Sequence, residues 1–493
     1  MTTLHLPIDR STGVPIHRQV YDGFRRAILD GLLRPGQRVP STRALAVDLA
    51  VSRLPVLTAY DHLLHEGYLD GRVGSGTFVS SAVPDDLLRS PGAPAATVRQ
   101  GTARQVPGPH PPASGENGLG PFRISLPALD QFPHAVWDRL VARHTRALTA
   151  QQMAYGHPAG LLPLRAAIAE HLRAARAVRC EAEQVLIVSG SQAALRLATA
   201  VLLSRGDRLA VEEPGYPGAR AALGAGGAEL VSVPVDEEGM NVDSLRRRGR
   251  RVRAAYVTPS HQYPLGTSMT AARRFALLDW AFRRDAWVLE DDYDSEYRYV
   301  SRPLGALQGM DAHQRVIYMG SFSKVLFPAV RVGYVVAPPT LRQRFVDARE
   351  AFDLFPPSLY QLVLAEFLRE GHFARHLRRM RGVYLERRDA LLTGLDRHCG
   401  DRLTVHNADA GLHLAVLLSA GLNDGDVVQR MAGRGLAATA LSTCYAGTVR
   451  RNGLLLGFGG SPPRRMLDAT RVLGEVLQAR RSRSVAGGAT PGR

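Results

Sequence analysis

From about Val83 to Gly120 the sequence runs through Pro, Gly, Ala and Ser, as in SPGAPAATVRQ and PGPHPPASGENGLGP, with no apolar period that could bury a face. No hydrophobic core can be threaded through such a stretch, so the chain divides into a compact unit over residues 10–82, a linker over 83–120 and a large unit over 121–480. The tail 481–493, RSRSVAGGATPGR, is expected to be disordered. Of the 493 residues 45% are hydrophobic and 22% charged, which leaves enough apolar material for both units to fold. Three distant cysteines, Cys180, Cys399 and Cys444, form no CxxC pair, so neither a disulfide framework nor a cysteine metal site is expected. The sequence carries no secretory pattern and no apolar run long enough for a membrane span, and the expectation is a soluble cytoplasmic protein. The net charge of +17 invites a nucleic-acid partner, although the first ninety residues are nearly charge-balanced and an arginine-rich composition alone also produces a basic chain.

In the first unit, Ile16, Val20, Phe24, Ile28 and Leu32 recur four apart and predict one apolar stripe of a helix. GLLRPGQ breaks it, Ser41 can cap a second helix over TRALAVDLA, and a third follows through LPVLTAYDHLLHEGYL with Pro55 in its first turn. Then YLDGRVGSGTFVS joins two β-prone runs through glycines, which predicts a hairpin. Two short helices at a tight turn plus a wing would set the start of the third helix in a major groove, with Ser52 and Arg53 reaching bases or phosphates, and Arg43 and Gly74 on flanking phosphates. A helical module that only packs on the large unit is the plainer alternative. PSTRALA, VSR, AYDHLLHEGYL and GRVGSGTFV resemble the GntR-type winged helix over most of residues 10–80. Leu54 and Pro55 depart from the small polar residues usual there; Leu54 either meets a thymine methyl or packs inward.

The second unit alternates β-rich runs (VLIVSG, RLAVEE, AAYVTP, AWVLEDD, RVIYMG, GYVVAP) with helical stretches, which predicts an α/β fold on a largely parallel sheet whose chemistry gathers at the loops beyond the strand ends. SGSQAAL offers backbone N–H groups and the Ser191 hydroxyl to a phosphate, or simply caps a helix. EDDYDSE delivers Asp291 and Tyr293 to one place, as a cofactor contact, a solvated loop or a metal ligand. GSFSKVLFPAVRVGY sets Lys324, the sole lysine of the chain, after Ser321 and Ser323 and before Arg331. One lysine among polar anchors suits an amine that must lose its proton to meet an aldehyde.

Together these motifs resemble the fold type I, aspartate-aminotransferase-like enzymes over roughly residues 120–480. The resemblance implies pyridoxal 5′-phosphate bound as a Schiff base on Lys324, with Asp291 on the ring nitrogen and Tyr293 on the 3′ oxygen. It further implies Ser191, Gln192, Ser321, Ser323 and Arg331 on the phosphate and Tyr216 on the ring face. YGHPAGLLPLR matches the segment in which a tyrosine, here Tyr155, reaches the neighbouring subunit's cofactor, which implies a homodimer. His261 and Tyr263 in PSHQYPLG fall where these enzymes often carry an asparagine. No metal is expected.

Winged helix, linker and aminotransferase-like unit in this order resemble the MocR-type (GabR-like) regulators, through EDDYDSEYRY, TPSHQYP, GSFSKVLFPAVR and REGHFARHLRRMR. The resemblance implies a transcriptional regulator that binds promoter DNA and senses pyridoxal phosphate or an amine or amino-acid effector, with pyridoxal phosphate synthesis or amino-acid metabolism as the controlled process. A metabolic aminotransferase with an appended domain, and a DNA-binding protein on an empty scaffold, are the alternatives. Where true aminotransferases hold the substrate carboxylate with an arginine, NGLLLGFGG offers Leu454 and Leu455, with Arg450 and Arg451 just upstream. A missing clamp predicts little or no transaminase turnover.

Overall fold

The computed structural model describes residues 6–72, 74–81, 119–248, 251–300 and 305–478, so most of the linker and the whole tail lie outside the described residues. The chain divides into two compact units, 1–104 and 105–493. In the first unit, α1 (Ile16–Leu29), α2 (Thr42–Asp48) and α3 (Arg53–His65) are followed by the antiparallel hairpin β1 (Leu69–Arg72) and β2 (Gly76–Val79). Val20, Phe24 and Ile28 of the apolar stripe are buried, whereas Leu32 is exposed because α1 ends at Leu29; Leu33 takes its place in the core. Ser41 caps α2 by accepting a hydrogen bond from the Ala44 N–H at 3.2 Å. Leu45, Val56, Tyr60 and Leu63 close the core between the helices. α3 stops four residues before the predicted end, and Gly67, at a φ of +78°, turns the chain into the wing.

The second unit is built on eight strands: β3 (Val185–Val188), β4 (Arg208–Glu213), β5 (Glu229–Asp236), β6 (Gly239–Met240), β7 (Val252–Val257), β8 (Trp287–Asp292), β9 (Val316–Ser321) and β10 (Gly333–Val336). Their order is β3-β10-β9-β8-β7-β4-β5-β6. The strands from β9 to β5 in that order are mutually parallel, and β10 is antiparallel to both its neighbours. This reversal has a positional result. Gly333 at the start of β10 pairs with Val188 and Ser321, near the ends of β3 and β9, so the segment entering β10 arrives at the same edge that the parallel strands leave. The strands read VLIV and GYVV, buried at every position, as expected of a sheet covered on both faces.

α4 (Ser191–Leu202) follows β3, and the long α5 (His372–Cys399) leads to a second, antiparallel sheet in the order β11-β12-β14-β13, made of β11 (Leu403–Asn407), β12 (His413–Leu418), β13 (Thr439–Ala440) and β14 (Gly453–Gly457). α6 (Pro463–Gln478) packs on α5, where Gly394 leaves room for Thr470: a Cβ there would lie 2.2 Å from its hydroxyl oxygen. NGLLLGFGG therefore belongs to this smaller sheet rather than to the main one. Cys180, Cys399 and Cys444 are free and buried. Among the described residues no helix is long and apolar enough to cross a membrane.

Candidate functional site at the strand ends

The loops that leave β3, β8 and β9 and the loop that enters β10 bring the predicted residues to one edge of the large sheet. Lys324 follows β9 by three residues, and its Nζ donates to the Ser125 carbonyl at 3.0 Å. Burial pulls this amine down to about 8, against the opposing attraction of Asp294 and Asp291. Asp291 and Asp292, adjacent on β8, point to opposite faces. The Asp292 carboxylate accepts from Arg176 at 2.9 Å and Tyr318 at 2.6 Å and is a buried structural ion pair. Asp291 accepts from the Tyr256 hydroxyl at 2.8 Å, and burial lifts its carboxyl to about 6 while that hydrogen bond works against the shift. A positive ring nitrogen beside it would favour the ionised form.

The start of α4 is the candidate anion cup. Gly190 precedes it at a φ of +89°, and Arg331, at the entrance to β10, donates to the Ser189 carbonyl at 2.5 Å. A Cβ on Gly190 would lie 3.1 Å from the Arg331 guanidinium, so the glycine keeps the space over the helix N-terminus open. Ser191 and Gln192 are the first residues of α4, half-buried, and Gln192 donates weakly to the Tyr216 hydroxyl at 3.4 Å. Ser321 Oγ accepts from the Ser323 N–H at 3.1 Å, which tightens the turn before Lys324. Tyr216 packs edge-on against Tyr263 with ring centroids 5.4 Å apart. Tyr293 lies 3.0 Å from Nδ1 of His261. Tyr155 stands apart from this cluster within the chain: it is 85% exposed and touches the Phe355 ring.

Leu454 and Leu455 are fully buried in β14. Leu455 belongs to an apolar group with Tyr263, Leu265, Ala415 and Cys444, against which Tyr216 and Tyr293 pack, so a hydrocarbon wall stands where an arginine was looked for. Arg450 is exposed, and Arg451 is held by His406 at 3.2 Å and by Glu237 at 3.2 Å. Three buried donors, on His261, Asp294 and His413, lie within 4.8 Å of one another, and protein groups engage them: His261 Nδ1 bonds Asp294 and His413 Nε2 bonds the Pro264 carbonyl. Sequence reasoning missed Tyr256, Ser125 and Asp294. Ser125 contributes only a carbonyl, which leaves no mark in its residue type, while Asp294 stands in the quoted EDDYDSE.

In the first unit, Ser52 is the N-cap residue of α3, and Arg53 leads the helix with Nε 3.3 Å from the Thr42 hydroxyl. Both are exposed, as are Arg43 and Gly74, the latter at a φ of +76° in the hairpin turn. Leu54 is 70% exposed, so it faces outward rather than into the core. Two further exposed cations lie on the wing: Arg72 stacks over Phe78, and Arg38 sits over Gly76, where a Cβ would be 2.9 Å from its Nε.

Two family models match: bacterial regulatory proteins of the gntR family over residues 16–79, and aminotransferase class I and II over 129–453. The probable rhizopine catabolism regulatory protein MocR of Rhizobium meliloti is 40% identical over 96% of each chain. The chain belongs to the MocR-type transcriptional regulators. Another regulator, the pyridoxine biosynthesis transcriptional regulator PdxR of Corynebacterium glutamicum, is 37% identical over 92% of this chain and 94% of its own. Among solved structures, the α-aminoadipate aminotransferase LysN of Thermus thermophilus, complexed with N-(5′-phosphopyridoxyl)-L-leucine, superposes with a TM-score of 0.67 at 32% identity, over 72% of this chain and 91% of that one. MocR-type architecture thus accounts for both halves: a winged helix for DNA and an aminotransferase-like body in which an amine, a carboxylate and an anion cup meet.

Proposed function

We propose that this regulator holds pyridoxal 5′-phosphate at Lys324 and couples what happens there to DNA binding through its winged helix. The observation that carries the proposal is the sole lysine, with its proton affinity lowered by burial, at the sheet edge shared by Asp291, Tyr293 and the Gly190–Arg331 cup. The chemical groups fit. The Lys324 amine would take the aldehyde, Asp291 the ring nitrogen, and Tyr293 the 3′ oxygen. Arg331, Ser191, Gln192, Ser321 and Ser323 would take the phosphate, and Tyr216 would lie on the ring face. When bound, the cofactor supplies a reactive carbonyl and an electron-withdrawing ring. The protein's part is to present an amine that gives up its proton more readily than an exposed lysine and to keep a negative charge opposite the ring nitrogen, with Tyr256 as its support.

The effector follows from Leu455. A substrate carboxylate brought against hydrocarbon would lose its hydration without a bidentate partner, which costs several kcal/mol. The site therefore favours the cofactor itself, or an amine lacking a carboxylate, over sustained transamination of amino acids. Tyr155 exposed on the surface supports a homodimer in which it reaches the partner's site. Ligand-dependent regulation requires different affinity for two arrangements of the DNA-binding heads, and the long linker permits such arrangements.

Borohydride reduction of the loaded protein followed by peptide mass spectrometry should place the added mass on Lys324, and Lys324→Ala should abolish visible absorbance. An unmodified lysine in folded, saturated protein would refute the reading. Footprinting of promoter DNA with and without pyridoxal phosphate tests the coupling. Multiple-turnover transamination with an amino donor and a keto acid would instead support an enzyme.

A further inference from the structure

Behind Tyr293 lies a buried group that the reading above does not use. His261, on the loop after β7, is 3% exposed and Asp294 2%. Nδ1 of His261 lies 3.0 and 3.1 Å from the two carboxylate oxygens of Asp294 and 3.0 Å from the Tyr293 hydroxyl. A single ring nitrogen carries one proton or one lone pair. A lone pair would face the lone pairs of the carboxylate, so Nδ1 carries the proton and shares it, in a three-centre hydrogen bond, between Asp294 and the Tyr293 oxygen. Tyr293 then faces an N–H, which it can only accept from, and its own hydroxyl proton is turned away and free to donate elsewhere.

The chain is shaped around this imidazole. Gly411, at a φ of +78°, has no room for a side chain: a Cβ would lie 2.1 Å from Cε1 of His261 and 2.7 Å from Asp294 Oδ2. Gly266, at +77°, would bring one within 3.2 Å of Nε2. His413 stands at a 5.3 Å ring separation, and burial, with His261 adding to it, holds it down to about 4, so it is neutral. The charged and titratable groups around His261 are thus Asp294, Tyr293, His413 and Tyr263, with Lys324 and Asp291 beyond.

Resting on the assignment of pyridoxal phosphate to Lys324, we propose that His261 is a positioning residue: held by Asp294, it fixes the Tyr293 hydroxyl as a donor toward the cofactor's 3′ oxygen. An N–H donated into a hydroxyl oxygen strengthens that hydroxyl as a donor in turn. A stronger donor on the 3′ oxygen draws charge away from it and weakens its hold on the neighbouring nitrogen-bound proton. Losing His261 should therefore make the lysine-bound cofactor keep its proton to higher pH.

The test is the pH titration of visible absorbance in the full-length, pyridoxal phosphate-loaded protein. His261→Phe keeps a flat ring between Gly266 and Gly411 but lacks Nδ1, and the midpoint should rise by about one pH unit. Tyr293→Phe should raise it at least as far, and adding His261→Phe to it should give no further rise, because the histidine acts only through the tyrosine. His261→Asn, whose amide falls near the place of Nδ1, should restore most of the wild-type midpoint. An unchanged midpoint in a His261→Phe protein that melts normally and carries the reducible adduct on Lys324 would overturn the proposal, as would additive shifts in the double variant. Absence of the adduct from the wild type would overturn the cofactor assignment instead.

Discussion

At the scale of single residues, the site is two groups held away from their ordinary protonation. Lys324 sits near 8 because of burial. Between there and the ordinary lysine range of about 10.4, an unfolded chain holds a proton that the native chain has released, so this lysine makes stability rise with pH across that window, while its penalty is complete below 8. Asp291, lifted to about 6 by burial, works in the opposite sense: from about pH 4 to 6 the native chain holds the extra proton and stability falls as pH rises. Urea unfolding of cofactor-free protein should show the alkaline rise flattened in Lys324→Met and the acidic fall flattened in Asp291→Asn. Lys324, Asp291 and Tyr293 were legible because their residue types are scarce or carry chemistry and stand at strand ends. Tyr256 was not, since a tyrosine in AAYVTP reads equally well as a plain strand former, and only the pairing of β7 with β8 puts its hydroxyl on Asp291.

At the scale of elements, the reading proposed above assigns recognition to two helix starts. Gly190→Ala forces a side chain into a left-handed backbone conformation beside Arg331 and should weaken pyridoxal phosphate binding about tenfold or more, measured by equilibrium titration of absorbance. At the other helix start, Arg53→Ala should cost about 1–3 kcal/mol of promoter affinity if the guanidinium reads a base, measured by fluorescence anisotropy at fixed salt. The melting temperature should hardly move, since the side chain is exposed and its hydrogen bond to Thr42 lies at the surface. Most of these elements were readable from apolar runs and caps. β5 was not, because Pro234 interrupts it and its residues alternate in burial, and the four-stranded sheet was not, because its strands are scattered among loops and helices and pair over long separations.

At the scale of the whole molecule, the prediction is that two chains complete each site. Sedimentation should find a dimer, and Tyr155→Phe should weaken cofactor retention without changing the fold, while mixed dimers of Tyr155→Phe with Lys324→Ala should hold cofactor at the one intact site. The two-body organisation was legible from the Pro/Gly/Ala-rich stretch alone, because no core can include it. The dimer is expected only through resemblance, since a surface tyrosine carries no signal of what covers it.

The solitary lysine, half-buried at the sheet edge, also has a spectroscopic consequence. Growing the protein on heavy-nitrogen lysine places a single labelled side chain in a 53.5 kDa molecule. Its resonance would report free amine, cofactor-bound imine and effector exchange one after another, with no other side-chain amine to overlap it.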